Sequence, residues 1–213
     1  MKNEIIIIGT GAQAKYALEI FNLQKQSVYG LIALNNEHAK LQKIYNKKVL
    51  GSIENFDKLN LNNNFRFILA CSDNHKKKQI VDKLKNYSPI YINAIHPKAI
   101  IASTSVLGEG VIVNANAIIQ PYSKIGNHVM IHAGVIIEHD VIINNFVNIA
   151  PGVIITGHVI IKEYSKIFTG AIITPNITIG QNSIVAAAST VLNSFEDNLV
   201  IAGTPAKVLK KNE

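Results

Sequence analysis

The chain has 213 residues, 48% hydrophobic and 16% charged, enough to bury a core and too apolar for a disordered or purely solvating segment. Its net charge of +7 comes mainly from residues 1–94, where fourteen Lys and Arg face seven Asp and Glu; the single Arg among the basic residues argues against nucleic-acid binding. No apolar run reaches the roughly 18 residues of a membrane span, and the single cysteine, Cys71, excludes a disulfide framework and a Cys-based zinc site and points to a reducing, cytoplasmic setting.

In chain order, Ile5–Ile8 is an apolar run entering Gly9-Thr10-Gly11, read as a first strand and a turn rather than a signal peptide. Ala12 to Leu23 is expected to be helical. Val28–Leu34 and Phe65–Ala70 are strand-like, Lys76–Lys85 reads as a helix and Pro89–Ile92 as another strand. This alternation predicts a small parallel α/β domain of Rossmann-like form over residues 1–94. A glycine turn between strand and helix can bring backbone amides to a phosphate. Here it lacks the third glycine of the dinucleotide fingerprint, and Asn35 and Asn36 stand where a ribose-binding acid belongs, so NAD is not expected. A nucleotide-sugar site and a purely structural turn both stay open. Lys15 can meet an anion or simply face solvent, and Ser72-Asp73-Asn74 can line the same crevice or form an ordinary polar loop.

From Ile95 an aliphatic residue returns every six positions as far as Val185, and four positions after each comes a small or β-branched residue, from Ala99 to Ser189. Neither a helical period nor plain strand alternation produces this. Each six-residue unit supplies a short strand and a corner, with the aliphatic side chain stacked on its copies above and below. Gly108, Gly126, Asn127, Asn144, Pro151 and Gly180 are expected at corners. The pattern matches the hexapeptide repeat of the left-handed parallel β-helix, three hexads to a coil, over residues 95–213. Asn193–Asn198 reads as a turn and Val200–Lys211 as a short tail.

In such a solenoid, functional side chains sit on outward positions. His139 lies two residues after inward Ile137, so its ring should point out, and imidazole is the side chain that ordinarily titrates near neutrality. Asp140 beside it can orient the ring; a solvated surface pair is the plainer alternative. Gly157 follows His139 by one 18-residue coil and leaves a backbone N–H accessible, either as an oxyanion donor or as a corner glycine only. His158 follows Asp140 by the same interval and is read as a surface histidine, with a second partner for Asp140 as the alternative. His128, His132, His139 and His158 fall at different phases of the coil, so no three-histidine metal site is expected within one chain.

The chain resembles the bacterial sugar O-/N-acyltransferases that join a Rossmann-like domain to a left-handed β-helix, among them sialic acid O-acetyltransferases and nucleotide-4-amino-sugar N-acetyltransferases. The resemblance spans essentially the whole sequence. It rests on the first glycine turn, on Ala70-Cys71-Ser72-Asp73-Asn74, on Ile95-His96-Pro97 and on the unbroken hexads. It rests further on Val135-Ile136-Ile137-Glu138-His139-Asp140, on Phe146-Val147-Asn148-Ile149-Ala150-Pro151-Gly152 and on Gly203-Thr204-Pro205-Ala206-Lys207. It implies that His139 is the general base, that Asp140 orients it and that the Gly157 N–H receives the thioester carbonyl. It implies a coenzyme A site along Gly157, Gly203, Thr204, Pro205 and Lys207, and nucleotide-sugar contacts at Gly9, Gly11 and Asn74. Gln13, His132 and Asn148 stand at acceptor-side positions where the family pattern differs. Acetyl-CoA as co-substrate, no metal, a homotrimer and a place in bacterial surface-glycan synthesis follow from the same resemblance.

The expected activity is N-acetylation of a nucleotide-linked amino sugar by direct transfer. The alternatives are O-acetylation of a sialic acid, a non-catalytic solenoid scaffold and a metal-dependent hydratase. Cys71 is expected to be a core residue rather than an acyl carrier.

Overall fold

The computed structural model describes residues 4–59, 61 and 65–212. They form two compact units that divide between Pro97 and Lys98, so the break falls just beyond the boundary expected at 94.

In the first unit, strand β1 (Glu4–Ile8) holds Ile5 to Ile8 at 3% exposure or less, as a central parallel strand covered on both faces requires. Helix α1 (Ala12–Leu23) buries Ala14, Ala17, Leu18 and Phe21, the i, i+3, i+4, i+7 stripe of a helix lying on a sheet. The remaining elements are β2 (Val28–Ala33), α2 (Asn36–Ala39), β3 (Lys43–Ile44), β4 (Lys47–Ser52), a 3-10 segment at Ile53–Leu59, β5 (Phe65–Leu69), α3 (Asn74–Leu84) and β6 (Ile90–Tyr91). The sheet order is β3-β4-β2-β1-β5-β6, parallel except for the β3–β4 hairpin. The chain reverses its direction of growth between β1 and β5. Their carboxyl ends therefore open the kind of crevice where α/β sheets bind ligands.

The second unit is a parallel β-helix built from two-residue strands. Ile100–Ile101, Ile118–Ile119, Ile136–Ile137, Ile154–Ile155, Ile172–Ile173 and Thr190–Val191 form one sheet. Val106–Leu107, Lys124–Ile125, Ile142–Ile143, Ile160–Ile161 and Thr178–Ile179 form a second. Ile112–Val113, Met130–Ile131, Asn148–Ile149, Lys166–Ile167 and Ile184–Val185 belong to the third. Every partner is 18 residues away, so one coil is three hexads. The inward aliphatics from Ile131 to Val185 are exposed by 1% or less, each worth about 1.5–3 kcal/mol of burial. The small residues four positions on are also inside. Ser165, with no exposed surface, donates to the Gly180 carbonyl at 2.7 Å and accepts the Ser183 N–H at 3.2 Å, so the buried hydroxyl is satisfied.

Each corner turns through a left-handed residue. Positive φ recurs every six positions from Gly110 to Ala188, and Asp140 (58°) and His158 (60°) lie in this series. The expected tail is a hairpin. Leu199–Gly203 pairs in parallel with Ile184–Val185 and antiparallel with Ala206–Lys211.

Candidate functional site

The expected pair meets. His139 follows the strand Ile136–Ile137 at the corner before Ile142–Ile143. Its Nδ1 lies 2.9 Å from Asp140 Oδ2, with the side chains 52% and 44% exposed. With the Nδ1–H donated to the carboxylate, the lone pair of Nε2 is left for a substrate proton. The left-handed φ at Asp140, a conformation Asp tolerates better than most residues, turns its side chain beside the ring of its own neighbour.

Gly157 lies under that ring. A Cβ built on it would meet His139 Cε1 at 2.7 Å and Nε2 at 2.9 Å, so only glycine lets the imidazole lie on the backbone of the next coil. The Gly157 N–H makes no hydrogen bond among the described residues; the residue is buried rather than open to solvent as expected, so the donor stands unpaired next to His139.

His158 is exposed, as expected of a surface histidine. It is also part of this cluster: its ring stands edge-on to His139, with centroids 5.2 Å apart and planes at 84°. Its N–H donates to the His139 carbonyl at 3.2 Å. The coil phase hid this contact, because the two residues are 19 apart and meet by side-chain reach around the corner rather than by stacking.

The Gly203 N–H donates to Ser189 Oγ at 3.1 Å and the Thr204 hydroxyl to the Ala188 carbonyl at 3.3 Å. Gly203, Thr204, Pro205 and Lys207 are therefore fixed, though exposed, beside the last strand of the sheet that carries Ile136–Ile137. Three strand spacings separate the two, a span of about 14 Å. Met130 pairs with Asn148 on the third sheet, and His132 follows the same strand at 9% exposure. Within one chain His132 and Asn148 thus belong to another face than His139 and are not brought to it.

In the first unit the glycine turn has the form a ligand needs. Gly9 has φ 135°, and a Cβ there would meet the Ala70 carbonyl oxygen at 2.2 Å, so β1 and β5 close together at the crevice. Gly11 precedes α1 without a side-chain cap, and nothing lies within 4 Å of a Cβ placed on it. The first N–H groups of a 12-residue helix face this gap, a setting that favours a phosphate. Gln13 Oε1 is buried without a hydrogen bond, and Asn74, fully buried, opens α3 across the crevice.

The structure adds His38, Tyr45, Lys76 and Lys77, which no motif marked, and gives partners to residues that the motifs did mark. Thr10 Oγ1 lies 2.8 Å from His38 Nδ1, and the Tyr45 hydroxyl donates to the Thr10 carbonyl at 3.0 Å. Lys76 Nζ reaches the Leu34 carbonyl at 3.3 Å, and Lys77 is 1% exposed. Lys15, exposed as a solvated helix face would have it, lies with its Nζ 5.3 Å from the centroid of the Tyr45 ring. Asn35 caps α2 by accepting the His38 N–H at 2.7 Å, and Asp73 caps α3 through the Lys76 N–H at 2.8 Å. Burial pushes the Cys71 thiol pKa up, partly offset by its hydrogen bond to the Asp73 backbone.

Comparison with known proteins gives the same two-part build. Residues 4–84 match the PglD N-terminal domain and residues 122–157 the bacterial transferase hexapeptide (six repeats). A stretch of 116 residues is 33% identical to UDP-N-acetylbacillosamine N-acetyltransferase of Bacillus subtilis (strain 168), covering 54% of this chain and 52% of that protein; the match spans about half the length of the curated relative. Perosamine N-acetyltransferase from Caulobacter crescentus, as a histidine-to-asparagine variant with CoA and GDP-perosamine, superposes at a TM-score of 0.89. The two are 26% identical, over 98% of this chain and 97% of that one. The acetyltransferase domain of PglB from Neisseria gonorrhoeae FA1090, with acetyl coenzyme A, shares the fold at a TM-score of 0.89 and 24% identity, over 98% of this chain and 100% of that one. The β-helix is of the left-handed form.

Proposed function

We propose that the chain is a sugar N-acyltransferase that transfers the acetyl group of acetyl-CoA to the amino group of a nucleotide-linked amino sugar, a reading supported by its match to the PglD N-terminal domain and by its likeness to perosamine N-acetyltransferase. The observation that carries this reading is the His139–Asp140 pair laid over Gly157. The amine attacks the thioester carbonyl while His139 Nε2 takes one of its protons. Asp140 holds the Nδ1–H and balances the charge of the imidazolium. The oxyanion forms at the Gly157 N–H, and its collapse expels the thiolate of coenzyme A, which takes the proton from His139. An amide and a free thiol result, with no acyl-enzyme. Base and oxyanion contributions are each worth a few kcal/mol, about 10²–10³ in rate.

The donor's thioester arm runs along the sheet from the hairpin turn at Gly203, Thr204 and Pro205 toward His139, the span of about 14 Å suiting an extended chain. The sugar nucleotide's phosphates take the amides at Gly9 and Gly11, with Gln13 and Asn74 beside them. The solenoid exposes Ile100 (64%), Val106 (61%), Ile142 and Ile172 on its outer faces, rows of apolar side chains that suit a homotrimer of parallel solenoids. In that assembly His132 and Asn148 serve the acceptor from a face other than that of their own His139. Two further parts of the reading are a role in surface-glycan synthesis and a cytoplasmic site of action. No helix among the described residues is long and apolar enough to cross a membrane.

The test is thiol release and amide formation with acetyl-CoA across a panel of nucleotide-linked 3- and 4-amino sugars and sialic acids, for the wild type and His139→Ala. The expected result is a base-stable product from one amino sugar, with the rate reduced at least about 10²-fold in the variant. An ester formed on a sialic acid hydroxyl would replace N- by O-acetylation. Equal rates for the two proteins would remove His139 as the base.

A further inference from the structure

We propose that His139, Asp140 and His158 form a binding site for a zinc ion that inhibits the enzyme. One nitrogen or oxygen from each of the three residues lies within 4.8 Å of the others. Two imidazoles and a carboxylate are donors that suit Zn²⁺. Ligand bonds of about 2.0–2.1 Å at tetrahedral angles put donor atoms about 3.4 Å apart, so modest rotations of side chains that are all exposed close the site. The ring arrangement already approaches this. Two imidazoles on one tetrahedral ion have their centroids about 5 Å apart, and those of His139 and His158 are 5.2 Å apart.

The consequence for catalysis rests on the reading of His139 as the base. An ion bound at Nε2 uses the lone pair that would accept the amine proton. An ion bound at Nδ1 displaces the proton shared with Asp140, and the ring then carries its proton on Nε2. Either way the ring no longer accepts a proton from substrate. The ion is an inhibitor, not a cofactor: three donors on an open corner hold it reversibly, and the acyl-transfer chemistry has no step that uses it.

Asp140 and His139 belong to the acyl-transfer machinery, which makes His158 the residue to change. His158→Asn suits its corner, because Asn176 holds the following corner of the same column at φ 62°. Zinc chloride is titrated into the wild type, His158→Asn and His75→Asn by calorimetry, without acetyl-CoA because its thiol product binds zinc. Cobalt(II) absorption reports the geometry, and circular dichroism checks the fold. One ion per chain is expected, bound about tenfold or more weakly by His158→Asn and unchanged in His75→Asn, an exposed histidine of the other unit. Amide formation, followed by mass rather than by thiol, should be inhibited by zinc and restored by a chelator, with the half-inhibiting concentration about tenfold higher in His158→Asn. Absence of stoichiometric binding, or equal affinity in wild type and His158→Asn, overturns the zinc site. The calorimetry needs no turnover, so a wild type that binds zinc but acetylates no sugar would refute the proposed function and leave the site standing.

Discussion

Gly157→Ala separates the position of the base from the presence of the oxyanion donor. The added Cβ would lie 2.7 Å from His139 Cε1 and 2.9 Å from Nε2, where ordinary contacts begin at 3.4 Å. The ring must therefore retreat by about 0.7 Å or more, and misplacement of a catalytic group by about 1 Å costs about 10²-fold, or about 2.7 kcal/mol of transition-state stabilisation. The backbone N–H survives the substitution. Folding should barely notice, because the ring is half exposed, Gly157 has no left-handed φ, and loss of a glycine stiffens the unfolded chain by about 0.4–1 kcal/mol in the variant's favour. The assay is steady-state amide formation beside a urea melt of wild type and variant. A rate reduced about 10²-fold with an unchanged midpoint supports the geometry. A rate within about twofold of wild type would refute the idea that the imidazole acts from its seat on Gly157, and a collapsed midpoint would mean that the glycine is needed for folding instead.

Gly11→Ala enters a space that is empty to 4 Å at a residue with φ −87°, so it should leave stability within about 0.5 kcal/mol while raising KM for the nucleotide sugar about tenfold and sparing KM for acetyl-CoA; unchanged sugar KM would mean that the turn is structural only. For Cys71, burial raises the thiol pKa in the folded protein, so the protonated form is favoured there. The stability this contributes is complete below the thiol's unfolded pKa and is lost as pH rises through the folded value. Alkylation by iodoacetamide should be slower in the native protein than in urea through pH 7–9, and equal rates would contradict the burial.

The solenoid was legible because every hexad repeats one physical demand. An aliphatic residue must enter a narrow core, and Ile119, Ile137, Ile155 and Ile173 do so in vertical register. The outward direction of His139 follows from its distance to Ile137 by the same logic. The edge contact with His158 is not a matter of period. It depends on a left-handed corner and on how far two side chains reach, which a one-dimensional spacing does not carry. The burial of His132 was hidden for a related reason, since phase tells inward from outward but not what covers the outward face. In the first unit, β1 and α1 showed through their apolar run and stripe. The β3–β4 hairpin did not, because Lys43, Ile44, Lys47 and Lys48 give it neither alternation nor a buried face. The buried Lys77 stands in a run of lysines whose other members face solvent in part or whole, so composition alone hid it.

The architecture also explains how the proposed catalytic pair can be added at so little structural cost. Ile137 and Val141 flank His139 and Asp140 and are both fully buried, so the core of that rung is the core of any other rung. What distinguishes it lies wholly outside. The corner geometry would be left-handed with or without chemistry, as Tyr122 and Asn176 show in the same column. Asp fills such a corner with less strain than a branched residue, and a side chain there is carried to the flank of its predecessor. Glycine one coil later gives the ring a seat and keeps a donor free. Three outward substitutions on one column and its neighbour thus suffice to hold an imidazole, a carboxylate and an N–H within reach of one another on a scaffold too repetitive to yield locally. The same economy brings a liability. The next residue of the column, His158, adds a second imidazole with its ring centroid 5.2 Å from that of His139, so on the two proposals made above the scaffold that orders the base also exposes it to capture.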